Sequence, residues 1–195
     1  MTRPIVLASS SRYRQEQLAR LHLPFVVKLP GIDEAALPGE TQRATAERLA
    51  VAKAWSVARG QDDALVIGAD QVAELDGQSI GKPGTHEAAL AQLLAMRGRT
   101  VLFHSGLAVV DSRDGRCLSA SVATEVHYRD LSAEALEAYL RIDLPYDCAG
   151  SAKIESLGIC LVQSVHSDDP SALVGLPLIA LTSMLAQLGV ALPAR

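Results

Sequence analysis

The sequence of 195 residues predicts an α/β fold built on a mixed sheet. Short β-branched apolar runs alternate with segments whose apolar residues recur at helical spacing. Two pairs of adjacent strand-like runs are joined by Asp-Gly, at Asp76-Gly77 and Asp114-Gly115, a signal of antiparallel hairpins. No repeat or low-complexity linker divides the chain, which is long enough for one sizeable core or two small lobes. Alternation by itself would give a parallel sheet; the hairpins make it mixed.

Pro4 to Ala8 reads as the first strand. Ser9-Ser10-Ser11 supplies capping hydroxyls for a helix over Arg12 to His22, with Leu18 and Leu21 on one face, and Leu23-Pro24 stops it. Phe25 to Leu29 is a second strand, left through a loop containing Gly31-Ile32-Asp33-Glu34 and Pro38-Gly39. Thr41 to Arg59 is the clearest amphipathic helix, with Ala46, Leu49, Ala50, Ala54 and Val57 as its buried stripe. Lys53 falls inside that stripe, so its ammonium either snorkels to the edge or meets a buried anion.

Ala64 to Ala69 is an apolar run that ends in Asp70, which predicts a buried strand with a carboxylate at its tip. A strand tip is a rigid mount for a group that must be held against a ligand; the plain alternative is a turn or cap aspartate. Val72 to Leu75 turns at Asp76-Gly77 and returns through Ser79-Ile80 to Gly81-Lys82-Pro83. Thr85 caps a helix ending near Gly98, and Thr100 to Val110 and Arg116 to Tyr128 are long strands. Leu131-Ser132 opens a helix to about Arg141. A loop from Cys148 to Gly158 then leads into a strand over Ile159 to Val165, and the last helix runs from about Leu178 to Leu188.

Net charge is −4 and aromatics are 4% of residues, which argues against a nucleic-acid surface with its basic stripe and stacking rings. Any phosphate site is a local cluster on an acidic body. Cys117, Cys148 and Cys160 are odd in number and lack a CxxC spacing, so a reducing cytoplasm is the default and no zinc knuckle is suggested. The histidines form no HExxH or i,i+4 pair. No signal peptide is expected at the start of the chain. The uncharged stretch from Pro170 to Ala194, interrupted by Ser183 and Gln187, is too short and polar for a membrane span and reads as a core helix.

Chemistry is suggested by groups dispersed over element ends. Gly77 to Pro83 resembles the tail of a P-loop, but it is one residue short and has Pro83 where Ser or Thr would bind magnesium. No GxGxxG is present. Ser9, Ser11 and Arg14 lie where a strand gives way to a helix, where free N–H groups favour a phosphate; a simple N-cap with solvated arginines is the alternative. Glu34 and Asp70 could share a divalent cation of the magnesium or manganese type. Lys53 and Lys82 could neutralise charge on transferring phosphates. Together these groups suggest a polyphosphate site.

Leu7-Ala8-Ser9-Ser10-Ser11-Arg12-Tyr13-Arg14, Asp33-Glu34, Gly68-Ala69-Asp70-Gln71, Gly81-Lys82-Pro83, Ala149-Gly150-Ser151 and Val174-Gly175-Leu176-Pro177-Leu178 resemble the Maf family of nucleoside triphosphate pyrophosphatases. The likeness runs in register from about residue 4 to residue 190. It implies one domain over residues 1–195, with an elongated mixed sheet in two lobes around a central cleft, similar to inosine-triphosphate pyrophosphatases. It also implies Asp70 as proton acceptor, with Ser9, Arg14, Glu34, Lys53 and Lys82 in the cleft. The implied reaction is hydrolysis of a nucleoside triphosphate to the monophosphate and pyrophosphate. The family often forms homodimers, to which the uncharged C-terminal stretch could contribute. A nucleotide-binding regulator of septum formation is the rival reading.

Tyr13, Gln71 and Glu155 resemble the branch of that family acting on 7-methyl-GTP. The pyrimidine branch, whose substrates are dTTP and UTP, usually has Arg, Thr and Gln there. Arg12 stands where the family more often has Pro, and Tyr13 where this branch has Trp. The chemistry fits independently: N7-methylation makes guanine cationic, and an aromatic face at Tyr13 attracts a cation. A carboxylate at Glu155 can accept from the guanine ring N–H and amino group. Gln71 could read another base edge.

Overall fold

The computed structural model describes residues 3–193. Seven strands form one sheet: β1 (Ile5–Ala8), β2 (Phe25–Lys28), β3 (Leu65–Leu75), β4 (Gln78–Ile80), β5 (Thr100–Asp111), β6 (Cys117–Tyr128) and β7 (Val162–Ser167). Their order is β2-β1-β3-β5-β6-β7, with β4 added to the far end of β3. β1 pairs with β2 and β3 in parallel, and every other pairing is antiparallel. The helices are α1 (Arg12–Ala19), α2 (Gln42–Ala58), α3 (His86–Met96), α4 (Ala133–Asp143) and α5 (Leu178–Gln187). Serine or threonine caps four of them: the side chains of Ser11, Thr41, Thr85 and Ser132 each accept a backbone N–H three residues on.

Two lobes follow from where the apolar residues gather. In the first, α5 and α1 cover one face of the sheet through Leu18, Leu181 and Leu185, while Ala50, Ala54 and Val57 of α2 cover the other. In the second, Leu93 and Met96 of α3 and Leu136 and Leu140 of α4 cover the far halves of β3, β5 and β6. The strands β3 and β5 run through both lobes. The uncharged C-terminal stretch is largely core, since Leu181, Met184 and Leu185 are buried, although Ile179 is exposed.

The close seat of α2 on the sheet depends on two glycines. A Cβ on Gly68 would lie 2.1 Å from Ala50 O, and one on Gly106 would lie 2.1 Å from Ala46 O. No larger residue fits, so the helix rests directly on β3 and β5. That contact brings Lys53 down onto the strand residue two positions beyond Gly68, which is Asp70.

Three sequence expectations are corrected. Asp70 is not at a strand tip: β3 continues through it to Leu75, because β5 goes on pairing as far as Glu74↔Leu102. What ends there is the neighbour. β1 pairs with β3 only up to Ala8↔Gly68, and β4 resumes at Ala73↔Ile80. Among the described residues, that edge of β3 is unpaired from Ala69 to Val72, and the cleft opens at this gap. The strand expected over Ile159 to Val165 begins only at Val162, and Leu157–Leu161 is a 3₁₀ turn. Gly158 there lies against the Lys153 backbone, where a Cβ would be 2.5 Å from Lys153 O, and this tight fold-back breaks the extended run. The first helix is also shorter than expected, ending at Ala19.

Candidate active site

Successive residues of β3 point to opposite faces, and the two residues at the gap use this. Asp70 faces α2 and is buried. Its Oδ1 accepts a hydrogen bond from Lys53 Nζ at 2.6 Å. The same ammonium lies 2.9 Å from Glu34 Oε1, on the loop that follows β2. Of the two readings open for Lys53, the buried anion is the one found. Among the described residues no hydrogen bond reaches Asp70 Oδ2. Gln71 faces the other way: its Nε2 donates to Ser105 Oγ, Ala172 O and Leu173 O at 2.9–3.1 Å. Its amide nitrogen therefore holds the 3₁₀ turn at Ala172–Val174, leaving Oε1 as the atom free to meet a ligand.

The start of α1 forms the next wall. Ser9 is buried, and its Oγ accepts the Ser11 N–H at 3.1 Å. Ser11 caps the helix by accepting the Arg14 N–H at 3.4 Å. The Arg14 side chain donates from Nε to Gly175 O at 2.9 Å, tying the helix to the glycine-bearing turn before α5. Burial lowers the Arg14 pKa, and the negative charges of Asp70 and Glu34 act against that shift.

A cavity of about 1090 Å³ joins these groups. Ser9, Ser11, Tyr13, Arg14, Glu34, Lys53, Asp70, Gln71, Lys82 and Glu155 all line it, so every candidate residue read from the sequence faces one space. Lys82 enters from the turn between β4 and α3 and is exposed.

The far end of the cavity is looser. Tyr13 accepts a weak hydrogen bond from Cys148 Sγ at 3.9 Å. Burial, followed by the nearby Cys148, Asp147 and Glu155, raises the phenol pKa, and burial pushes the Cys148 thiol up to about 11. Both groups are neutral near pH 7. Glu155 is exposed. The cation over the Tyr13 ring is the chain's own: the Arg12 guanidinium carbon lies 5.5 Å from the ring centroid. This chain thus sets a positive charge on the aromatic face expected to receive the base.

Two carboxylates of the cavity are the candidate ligands for a metal ion. Glu34 and Asp70 both touch one ammonium, so their carboxylates converge on one point. Among the described residues no group of three or more His, Cys, Asp or Glu could hold an ion. Two carboxylates suit magnesium or manganese, which keep several waters and take further oxygens from substrate phosphates. The cation expected between Glu34 and Asp70 nonetheless shares that space with Lys53.

Sequence reading missed several cavity residues. Lys153, Tyr146 and Cys148 also line it. Lys153 Nζ donates to Asp143 O at 2.8 Å and to Leu144 O at 3.3 Å, fixing the end of α4 beside Glu155. No sequence motif singles these out: Lys153 meets backbone oxygens of Asp143 and Leu144, and Tyr146 and Cys148 meet side chains far off in the chain, His86 and Tyr13.

The family model described as Maf-like protein matches residues 4–188. A protein of Cupriavidus metallidurans named 7-methyl-GTP pyrophosphatase is 58% identical over 189 residues, covering 96% of this chain and 95% of its own length. One of Paraburkholderia xenovorans with the same name is 60% identical, covering 95% and 92%. Another from Thiobacillus denitrificans is 56% identical, again covering 95% and 92%. Among solved structures, the Staphylococcus aureus Ham1 protein is 20% identical with a TM-score of 0.46, covering 65% of this chain and 72% of that one. Among the described residues, no helix is long and apolar enough to cross a membrane.

Proposed function

Since this chain belongs to the Maf-like family, we propose that it hydrolyses a nucleoside triphosphate, 7-methyl-GTP, to the monophosphate and pyrophosphate. The observation that carries the reading is the Asp70 carboxylate: one oxygen is held by Lys53, and the other has no partner among the described residues, in a cavity wide enough for a nucleotide. The identity to relatives named for this substrate supports it over nearly the whole chain.

In the proposed reaction a water molecule attacks the α-phosphorus. Asp70 takes its proton through the free oxygen, the bond from the α-phosphorus to the α,β-bridging oxygen breaks, and pyrophosphate leaves with that oxygen. Lys53 orients Asp70 through the 2.6 Å contact, and Lys82 offsets charge on the phosphates. Ser9, Ser11 and Arg14 receive the phosphate chain at the start of α1, where, among the described residues, the Arg12 and Tyr13 N–H groups are unpaired and the Arg14 N–H is capped by Ser11. A divalent cation held by Glu34 and Asp70 would supply further charge neutralisation when bound.

At the other end, Glu155 accepts from the guanine edge and Tyr13 stacks on the ring, with the Arg12 charge working against a cationic base. Removal of a modified nucleotide in the cytoplasm, by a homodimer, is the accompanying reading.

The test is pyrophosphate release by the purified protein on a panel of 7-methyl-GTP, GTP, dTTP and UTP. Turnover of 7-methyl-GTP well above the others is the expected result. Pyrimidine preference would reassign the substrate, and absence of pyrophosphate from all four would leave a nucleotide-binding protein.

A further inference from the structure

Lys82 is the only proposed phosphate contact without a side-chain anchor. Ser9, Ser11, Arg14 and Lys53 each hold a protein partner, whereas among the described residues the Lys82 ammonium has none. It also sits in a glycine-flanked segment, Gly81-Lys82-Pro83-Gly84, in which Gly84 has a positive φ of 72°. Glycines on either side leave the backbone free to sample many conformations. A flexible lysine on a flexible turn would not be aimed at a phosphate unless something else fixed the turn.

Two hydrogen-bonded chains do so, one on each side of the lysine. Before it, Gly81 O accepts from Gln92 Nε2 at 3.1 Å, and Gln92 Oε1 accepts from Ser151 Oγ at 2.6 Å. Ser151 is fully buried and held at a φ of 53°, a conformation rare for a residue with a Cβ. After it, the Gly84 N–H donates to Tyr146 O at 3.0 Å. Tyr146 is held in turn: its hydroxyl lies 2.9 Å from His86 Nδ1, and His86 Nε2 lies 2.8 Å from Glu137 Oε2. The His86 and Tyr146 rings also meet edge to face, with centroids 6.0 Å apart. Neither chain includes a residue of the catalytic set, yet both end on the backbone that carries Lys82.

We infer that Gln92, His86 and Tyr146 are positioning residues that hold the Gly81–Gly84 turn and so aim Lys82 at the substrate phosphates. The inference rests on the phosphate role given to Lys82 under the proposed function. Arranged this way, the site keeps Lys82 free of any counter-ion that a substrate would have to displace, and leaves its direction to the backbone.

The test is a double-mutant cycle. In the otherwise wild-type protein, His86→Ala combined with Gln92→Leu is expected to lower kcat/KM about 10- to 100-fold, the cost of misplacing a reacting group by an ångström or so. In a Lys82→Ala background the same pair is expected to change kcat/KM by less than about twofold, since nothing remains to be aimed. Equal losses in both backgrounds, or no loss in the first, would overturn the inference. Tyr146→Phe removes only the hydroxyl and is the milder variant should the pair fail to fold. It is expected to lose about three- to tenfold in the wild-type background, and an unchanged rate would count against the inference. Rescue separates aiming from simple packing: His86→Asn keeps an amide near the Nδ1 position facing Tyr146 and should retain more activity than His86→Gln.

A readout independent of turnover is protection of Lys82 from acetylation by the α,β-methylene analogue of GTP, followed by mass spectrometry. Protection in the wild type and its loss in the paired variant are expected; equal protection in both would refute the aiming role. Failure of the functional reading has a different signature, namely no pyrophosphate from the wild type.

Discussion

Two buried aspartates on one strand ladder have opposite fates. Asp111 ends β5 opposite Leu65, and Asp70 sits on β3 opposite Gly106, five positions along. Arg3 grips both Asp111 oxygens at 2.5 Å, and the Arg113 N–H adds a third bond at 3.0 Å. The Arg3 hydrogen bonds hold the Asp111 carboxyl down at about 2, below its ordinary 3.8. Asp70 has one bond, from the smaller head of a lysine, and its second oxygen has no described partner. A carboxylate with its acceptor capacity filled can only stabilise the fold, whereas one left half-filled beside a cavity can accept a proton or a cation. Burial is nearly the same for the two; coordination differs.

The comparison can be broken most directly through the free oxygen of Asp70. If it holds a cation with Glu34, a chelator should abolish pyrophosphate release, and magnesium or manganese should restore it. Full activity in metal-free buffer would remove that role. Next in size, Asp70→Asn keeps the shape but not the base, so turnover should fall by roughly 10²–10⁴-fold with little change in melting temperature. A folded variant with wild-type turnover would show that the unfilled oxygen does no chemistry.

Asp111→Asn should do the reverse, costing about 1–3 kcal/mol of stability while leaving kcat/KM for the folded protein unchanged. Urea unfolding and pyrophosphate assays on the same sample check both halves. The same pair sets a pH dependence. Because the folded-state pKa of Asp111 is depressed, its contribution is fully present above about pH 4 and is lost as pH falls towards about 2. Urea midpoints between those values should drop more steeply in the wild type than in Asp111→Asn.

A third carboxylate sharpens the rule at the base end. Glu155 is exposed and, among the described residues, unpaired, so a ligand can use it. Glu155→Gln should lower the ratio of kcat/KM for 7-methyl-GTP over GTP by about tenfold, as expected for one charge-assisted hydrogen bond. The smallest effect concerns Arg12. Removing its guanidinium from the Tyr13 face in Arg12→Ala should raise the same ratio about two- to fivefold, the worth of an exposed cation–π contact. A ratio unmoved by both changes would mean that this end of the cavity does not select the base.

Most elements were legible because their signals are local. The capping serines and threonines, the two Asp-Gly turns and the stripe from Ala46 to Val57 act within a few residues, and each is where the spacing predicts. The strand expected from Ile159 fails for the complementary reason: a run such as Leu157-Gly158-Ile159-Cys160-Leu161 carries strand-forming side chains, but Gly158 folds it back against Lys153, a contact no local pattern encodes. Asp70 is misread in the same way. Polarity after an apolar run resembles a strand end, whereas the backbone bonds to β5 that carry β3 onward are blind to side-chain type.

The α/β class, the helix starts and the acidic body follow from residue type and short spacing, while the ten residues that line the cavity are marked by the resemblance to a family whose motifs lie far apart in the chain. Tertiary structure decided how those ten are coordinated. Lys53 is read as either snorkelling or buried until Gly68 and Gly106 let α2 settle onto the sheet and set its ammonium between Asp70 and Glu34. Gln71 keeps only its amide oxygen for a base edge, because its nitrogen is taken by Ala172 and Leu173, about a hundred residues away in the chain. Arg12 is a departure from a motif until it lies over Tyr13. The reason is physical: a side chain's chemistry is set by which of its donors and acceptors are already taken, and those partners come from distant segments that only the folded chain brings together.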